Sequence, residues 1–239
     1  MTKLLFQTDS YLQNFKAQVT AVDPDSHSVL LDCTAFYPGG GGQPADSGIL
    51  VWQGASVPVE RARKGAEGIW HVLAASAPLP PAGADVTGQI DWAPRYALMR
   101  THTAMHILCG VVFRDYGALV TGGDMEPLHG RMDFEFESLT KDLVSVIEEA
   151  VNREVAAARP VKVAILPREE AFQIPDLIRT KINLLPPEIS HIRTIELAGL
   201  DLQADGGTHV HNTAEVGRMR VVDYKSKGRI NKRIYVELD

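Results

Sequence analysis

Two patterns of apolar and polar residues divide this chain. Up to about residue 92 the apolar residues come in short runs, many of them alternating with polar ones, and glycine, proline and aspartate punctuate them. The runs read as strands over residues 19–22, 28–34, 48–52, 56–62, 68–73 and 85–92. Between them lie Asp23-Pro24-Asp25, the Pro38-Gly39-Gly40-Gly41-Gly42 stretch and Pro78-Leu79-Pro80-Pro81-Ala82-Gly83. Short, regularly spaced strands with such turns predict a small β-barrel.

The period then changes from two to that of a helix. Pro94 suits a first helical turn, and the spacing carries the helix to about Tyr116. Met99, His102, His106, Cys109 and Phe113 share one face, and Leu98, Met105, Leu108 and Val112 another. A helix apolar nearly all round is a buried one, and imidazoles on it need partners. Residues 131–136 alternate as a strand. Thr140 reads as the N-cap of a second helix, with Leu143, Val146, Ile147, Ala150, Val151, Glu154 and Val155 on its buried stripe and Pro160 as its stop. Residues 161–166, 193–197, 209–210, 216–224 and 229–238 read as further strands. The expected fold is α+β: a small β-barrel over residues 1–92, then a two-layer α/β domain over 93–239 with helices on a mostly antiparallel sheet.

Composition narrows the classes. The 239 residues are 45% hydrophobic, enough for a real core, yet no apolar run reaches the length of a membrane span. The N-terminus soon turns polar and lacks a signal-peptide core. Two cysteines, Cys33 and Cys109, offer no disulfide framework, so a cytoplasmic location is expected and both thiols read as core. A net charge of −6 gives no overall attraction for nucleic acid, so a polyanion must be held by a local basic surface. The C-terminal segment offers one: Arg218, Arg220, Lys225, Lys227, Arg229, Lys232 and Arg233 are opposed only by Asp223. By charge alone it reads equally as a solvated hairpin that balances acidic helices.

The candidate chemistry lies in two histidine clusters. His102 and His106, one helical turn apart, project from the same face. That spacing suits a zinc helix and also two hydrogen-bonded core histidines. Asp205-Gly206-Gly207-Thr208-His209-Val210-His211 adds a carboxylate and more imidazoles. Its glycines let the backbone approach another group or adopt positive φ; the alternative is a plain Gly-Gly hairpin. Two ligand-like clusters in one domain predict a shared metal, and a metal with an open position is hydrolytic. His211 is expected to be exposed or just behind the ligands. Cys109, seven residues after His102, reads as a core thiol rather than a soft ligand. His27, His71, His129 and His191 have no motif around them and default to surface or structural roles. The Gly39–Gly42 loop is not a P-loop, since no Gly-Lys-Ser/Thr follows. Its N–H groups suit an anion or a carbonyl oxygen, and a bare hairpin tip would use the same glycines.

Together these segments resemble one family, the free-standing alanyl-tRNA editing proteins, related to the editing domain of alanyl-tRNA synthetase. The matching stretches are residues 36–48 (F-Y-P-x-G-G-G-Q-P-x-D-x-G), 99–108 (R-x-H-T-A-x-H-L/I-L) and 206–217 (G-G-T-H-V-x-N-T-x-E-V/I-G), with a similar closing hairpin over 225–234. The likeness runs almost end to end and fits the family's medium-length form. It implies hydrolysis of the ester that joins a wrong amino acid, serine or glycine, to tRNA(Ala) after the synthetase has released it. It implies one zinc ion per chain, held by His102, His106 and His209. Asp205 stands where many relatives carry cysteine. It is either a fourth ligand, harder than a thiolate, or it leaves that position to water. Gly40, Gly41, Gly42 and Gln43 would line the aminoacyl pocket and stabilise an oxyanion. Thr103 would sense the serine hydroxyl or serve helix packing. Asp205 and His211 are candidates for a general base. Lys225, Lys227, Arg229, Lys232 and Arg233 would hold the phosphates of the mischarged tRNA(Ala), the expected partner. Other readings are a metal hydrolase of small esters, a non-catalytic tRNA-binding module and a threonyl-tRNA editing domain.

Overall fold

Alternation in the first third closes a sheet on itself. The fold comes from a computed structural model in which residues 1–181, 185 and 189–239 are described. Its first strands are β1 (Lys3–Leu4), β2 (Asn14–Asp23), β3 (Ser28–Leu31), β4 (Cys33–Thr34), β5 (Gly48–Trp52), β6 (Ala55–Gly65), β7 (Gly68–Leu73) and β8 (Asp85–Ile90). Six of them form a closed barrel in the order β2-β3-β7-β6-β5-β8, every pair antiparallel. The pair β1–β4 is parallel and separate. Along β2 the buried Phe15, Ala17 and Val19 alternate with exposed Asn14, Lys16 and Gln18. The inward side chains, among them Val29, Leu31, Phe36, Leu50, Val57 and Leu73, make one apolar core. Closure removes the sheet edges that an open sheet of this size would leave unpaired.

Helix α1 (Trp92–Tyr116) follows. Next come β9 (Val120–Glu126), β10 (His129–Glu135), α2 (Lys141–Ala156), β11 (Val161–Pro167), the short α3 (Arg168–Ala171), β12 (His191–Leu197), β13 (Asp201–Ala204), β14 (Met219–Ser226) and β15 (Asn231–Leu238). The strands form two antiparallel sheets, ordered β14-β15-β10-β9 and β11-β12-β13, rather than the one sheet expected. Two compact units result, Met1–Tyr96 and Ala97–Asp239. No described helix is long and apolar enough to cross a membrane.

Helix α1 is buried on nearly every side: Leu98, Met99, Met105, Leu108, Cys109 and Val112 are all in the interior. It lies close to the four-stranded sheet, because Gly130 of β10 has no side chain. A Cβ there would stand 2.7 Å from the Met105 sulfur. Thr140 caps α2 as expected, its hydroxyl accepting from Leu143 N–H at 3.2 Å. The buried stripe of α2 differs in its first turns, where Leu143 is only half-buried. Val144 faces the core and Val146 is exposed, because Val144, Ile147, Val151 and Val155 follow the helical repeat more closely. Glu154 on that stripe is neutralised by Arg114 and Arg159, at 2.5 and 2.6 Å.

Two other expectations are corrected, and one strand was not foreseen. Residues 209–210 form no strand; they lead into a short 3-10 helix, Thr213–Val216, capped by Asn212 and Glu215. Strand β9 escaped the pattern, since Gly122, Gly123 and Asp124 interrupt its alternation. Cys33 is half-buried rather than core, its thiol donating to the Lys16 carbonyl at 3.3 Å. Cys109 is buried, and burial pushes its thiol well above the usual range.

Candidate metal centre

The two histidine clusters meet. His102 and His106 leave α1 one turn apart, their ring centroids 5.2 Å from each other. The His209 ring lies 4.2 Å from that of His102 and 4.8 Å from that of His106. Asp205 closes the group: its Oδ1 is 3.1 Å from His209 Nε2, and its Oδ2 is 3.4 Å from His102 Nε2 and 3.9 Å from His106 Nε2. One donor atom from each of these four residues lies within 4.8 Å of the other three. Three imidazoles are buried, while the Asp205 side chain keeps 18% of its surface exposed.

Local geometry explains how a loop delivers two of the four donors. Asp205 Oδ1 accepts from Gly207 N–H at 2.6 Å, so the carboxylate itself closes the turn. Neither Gly206 nor Gly207 adopts positive φ, so the left-handed freedom suggested by the sequence is not used here. Arg193 of β12 donates to the Asp205 carbonyl at 2.9 Å, and Asp205 N–H donates to the Arg193 carbonyl at 3.1 Å. These bonds tie the turn to the three-stranded sheet.

Charge is concentrated at the centre. Burial on its own would depress His106. Asp201 and Asp205 beside it outweigh burial and hold it up at about 9. Burial pushes the Asp205 carboxyl up, but the surrounding imidazoles, His102 foremost, hold it well below the usual carboxylate range. Burial and the charge at His102 keep His209 well below the ordinary imidazole value. Imidazole nitrogens and a carboxylate oxygen are all donor types that zinc accepts, and three imidazoles alone match a catalytic set. The residues present therefore fit a divalent metal of that kind.

Sequence reasoning missed Asp201. Its carboxylate is fully buried, with Oδ2 3.1 Å from His106 Nδ1, and it belongs to no local motif. A spatial signal exists at Gly110, one turn beyond His106. A Cβ at residue 110 would come within 3.0 Å of both Asp201 Cβ and Leu200 Cγ. The absence of a side chain there lets β13 start beneath His106. Thr103 is also buried. Its hydroxyl accepts from Val210 N–H at 3.3 Å and lies 3.3 Å from His209 Nδ1, so it faces a candidate ligand. Cys109 stands outside the donor group, with Gln203 Nε2 donating to its sulfur at 3.3 Å. His211 is exposed.

The glycine loop is a tight hairpin. Gly40 and Gln43 exchange both backbone hydrogen bonds at 3.0 Å. Gly39, Gly40, Gly41 and Gly42 have φ of 78°, 133°, 60° and 87°, a run that side chains would strain. The N–H groups of Gly40 and Gln43 are thus spent on the turn, leaving Gly41 and Gly42 at the tip as the loop's candidate donors. The base of the loop is clamped by a buried pair that the sequence did not reveal. Asp46 accepts from Tyr37 N–H at 2.6 Å and is bound by the Arg95 guanidinium, whose Nε lies 3.0 Å from both carboxylate oxygens.

The C-terminal basic residues divide in two. Lys232 is only 6% exposed and donates its Nζ protons to the Gly228 and Arg229 carbonyls at 2.8 Å, so its charge secures the hairpin turn. Arg233 forms a two-pronged pair with Asp133 directly across the ladder, at 2.6 and 2.8 Å. Lys225 is exposed but sits 2.9 Å from Asp223 and over the Tyr235 ring. Lys227 and Arg229, at the tip, are exposed and have no carboxylate partner among the described residues. Of the five residues expected to meet phosphates, these two carry the charges that no carboxylate among the described residues offsets. The burial of Lys232 was legible, since it falls on the same face of β15 as Ile234, Val236 and Leu238.

Comparison with known proteins agrees with this layout. Residues 5–94 match the family profile described as tRNA synthetases class II (A), and residues 192–235 the one described as threonyl and alanyl tRNA synthetase second additional domain. A Saccharolobus solfataricus protein named alanyl-tRNA editing protein AlaX-M is 40% identical over 98% of both chains. A Methanosarcina acetivorans protein of the same name is 36% identical over 100% of this chain and 99% of its own. An alanine–tRNA ligase of Pyrobaculum neutrophilum is 37% identical over 92% of this chain, a match that takes up 25% of the ligase. With likeness at this level along its whole length, the chain belongs to the alanyl-tRNA editing protein family, of the kind named AlaX-M.

Proposed function

We propose that this chain hydrolyses mischarged tRNA(Ala), Ser-tRNA(Ala) and Gly-tRNA(Ala), at the centre formed by His102, His106, Asp205 and His209, with one zinc ion per chain. The observation that carries the proposal is the convergence of those four donors from a buried helix and a distant loop, all within 4.8 Å. The names of the full-length relatives supply the substrate class. A synthetase pocket that accepts alanine rejects serine and glycine poorly, so a second, hydrolytic site is needed downstream.

His102, His106 and His209 would hold the metal through Nε2, and Asp205 through a carboxylate oxygen. A divalent metal held there, with a position left open to water or substrate, would polarise the acyl carbonyl and acidify water. The protein's own part is to hold the donors rigid. Three of the four are buried, and the turn at Asp205 is pinned through Arg193. Thr103 holds His209 from behind, a role that fits its burial better than contact with the serine hydroxyl. The Gly41–Gly42 tip binds substrate through its N–H groups. Lys227 and Arg229 meet tRNA phosphates, contacts that position the substrate without reading its sequence. As an enzyme of translation quality control, the chain would work in the cytoplasm, where charged tRNA is found.

Deacylation of Ser-, Gly- and Ala-tRNA(Ala) measured side by side tests the proposal. Release of serine and glycine with alanine spared is the expected result. Turnover of free aminoacyl esters without preference for tRNA would replace it with a small-ester hydrolase, and tRNA binding without release of any amino acid would reduce it to a binding module.

A further inference from the structure

Asp201 is a buried carboxylate that the proposed chemistry does not use. Its side chain is wholly enclosed. Oδ2 lies 3.1 Å from His106 Nδ1 and accepts from Gln203 Nε2 at 2.6 Å, while Oδ1 lies 3.4 Å from Arg179 Nε. Arg179 itself is fixed over the Phe113 ring, 3.8 Å from its centroid. Asp201 thus sits in a built cage of two donors and one imidazole. A carboxylate facing donors on both oxygens acts as an acceptor. An N–H on His106 Nδ1 therefore points at Asp201, which leaves Nε2, on the far side of the ring and facing Asp205, as the nitrogen free to serve the shared site once its own proton is displaced.

We infer that Asp201 is a positioning residue of the metal centre, fixing the ring orientation and tautomer of His106 so that Nε2 is the donor. The inference rests on the reading of the cluster as a metal site. An acceptor on the far nitrogen of a ligating histidine fixes the tautomer and raises ligand basicity, and its loss typically weakens metal binding by about 10–100-fold. The close approach that makes the contact depends on Gly110, whose side-chain position Asp201 and Leu200 occupy. Thr103 holds His209 in a parallel way, but a hydroxyl both donates and accepts, so it imposes the tautomer less strictly than a carboxylate does.

Zinc affinity measured by chelator competition on the full chain, for wild type, Asp201→Ala and Asp201→Asn, tests this. Asp201→Ala is expected to weaken zinc binding by about 10–100-fold. Asp201→Asn, which keeps an acceptor oxygen but loses the charge, is expected to fall between that variant and wild type. Cobalt(II) spectra should change in the same order, while the melting temperature of metal-free Asp201→Asn stays near wild type; a merely structural role would move the melting temperature and leave the spectrum alone. If Asp201→Ala does not fold, Asp201→Asn carries the test alone. A folded variant that binds zinc as tightly as wild type, with an unchanged cobalt spectrum, would overturn the role of Asp201 and leave the metal reading intact. A wild type that takes up no zinc would overturn both.

Discussion

His71 in the barrel and His106 in the second unit are equally buried, yet their surroundings drive them in opposite directions. His71 meets a hydroxyl, with Nε2 2.8 Å from Thr34 Oγ1, and a carbonyl, with Nδ1 3.4 Å from that of Val29. No charge offsets the cost of its own, so burial holds it down at about 4. His106 suffers the same burial but has Asp201 and Asp205 beside it, and it is held up at about 9. Burial alone makes a histidine a neutral structural group. Two carboxylates convert the same side chain into part of a charged centre suited to a cation. The two histidines are the same residue type, and only the spatial company separates a candidate ligand from a wall.

The largest expected effect breaks this contrast at the charged end. His106→Ala and His209→Ala should lower kcat/KM for Ser-tRNA(Ala) by at least ~10²–10³-fold, the range for loss of one electrostatic stabiliser. Far-UV circular dichroism should stay unchanged, and full activity in both variants would remove the metal reading. His71→Phe, in contrast, should leave deacylation intact.

The second effect tests the neutral end. The folded-state pKa of His71, about 4, lies below the unfolded value near 6.5, so the folded protein binds fewer protons between those pH values. Its contribution to stability is complete above pH 6.5 and is lost as pH falls from 6.5 to 4. The shift corresponds to about 3 kcal/mol at most. Urea unfolding at pH 7 and pH 4.5 should show that part of the acid sensitivity vanish in His71→Phe. An unaltered difference between the two pH values would mean that His71 carries no such burden.

The smallest effect separates spent charges from available ones in the C-terminal hairpin. Lys227→Ala with Arg229→Ala should raise KM and reduce the slope of log affinity against log salt by roughly one to two. Lys232→Met should leave that slope unchanged, because its ammonium is turned into the hairpin turn. Equal slopes for all variants would take the hairpin out of the tRNA footprint.

How much of this was legible follows from range. The barrel strands and both long helices could be read because their signal is local and periodic: Phe15, Ala17 and Val19 alternate, and Ile147, Val151 and Val155 recur at helical spacing. The four donors were legible as well, since each cluster is a compact motif. Asp201 was not, because its meaning depends on Gly110 allowing two segments to touch. The same holds for Arg95, whose pairing with Asp46 spans 49 residues. The inward direction of Lys232 is written in the strand's alternation, which its charge alone does not show.

The central claim, that four side chains from two separate segments close on a single metal ion, meets its most direct test in metal content. Equilibrium dialysis of the purified chain against zinc, followed by elemental analysis, should give one zinc per chain in wild type and none when His102, His106 and His209 are all replaced by alanine. Full deacylase activity in a wild type stripped of metal, or zinc retained at one per chain by the triple variant, would contradict it.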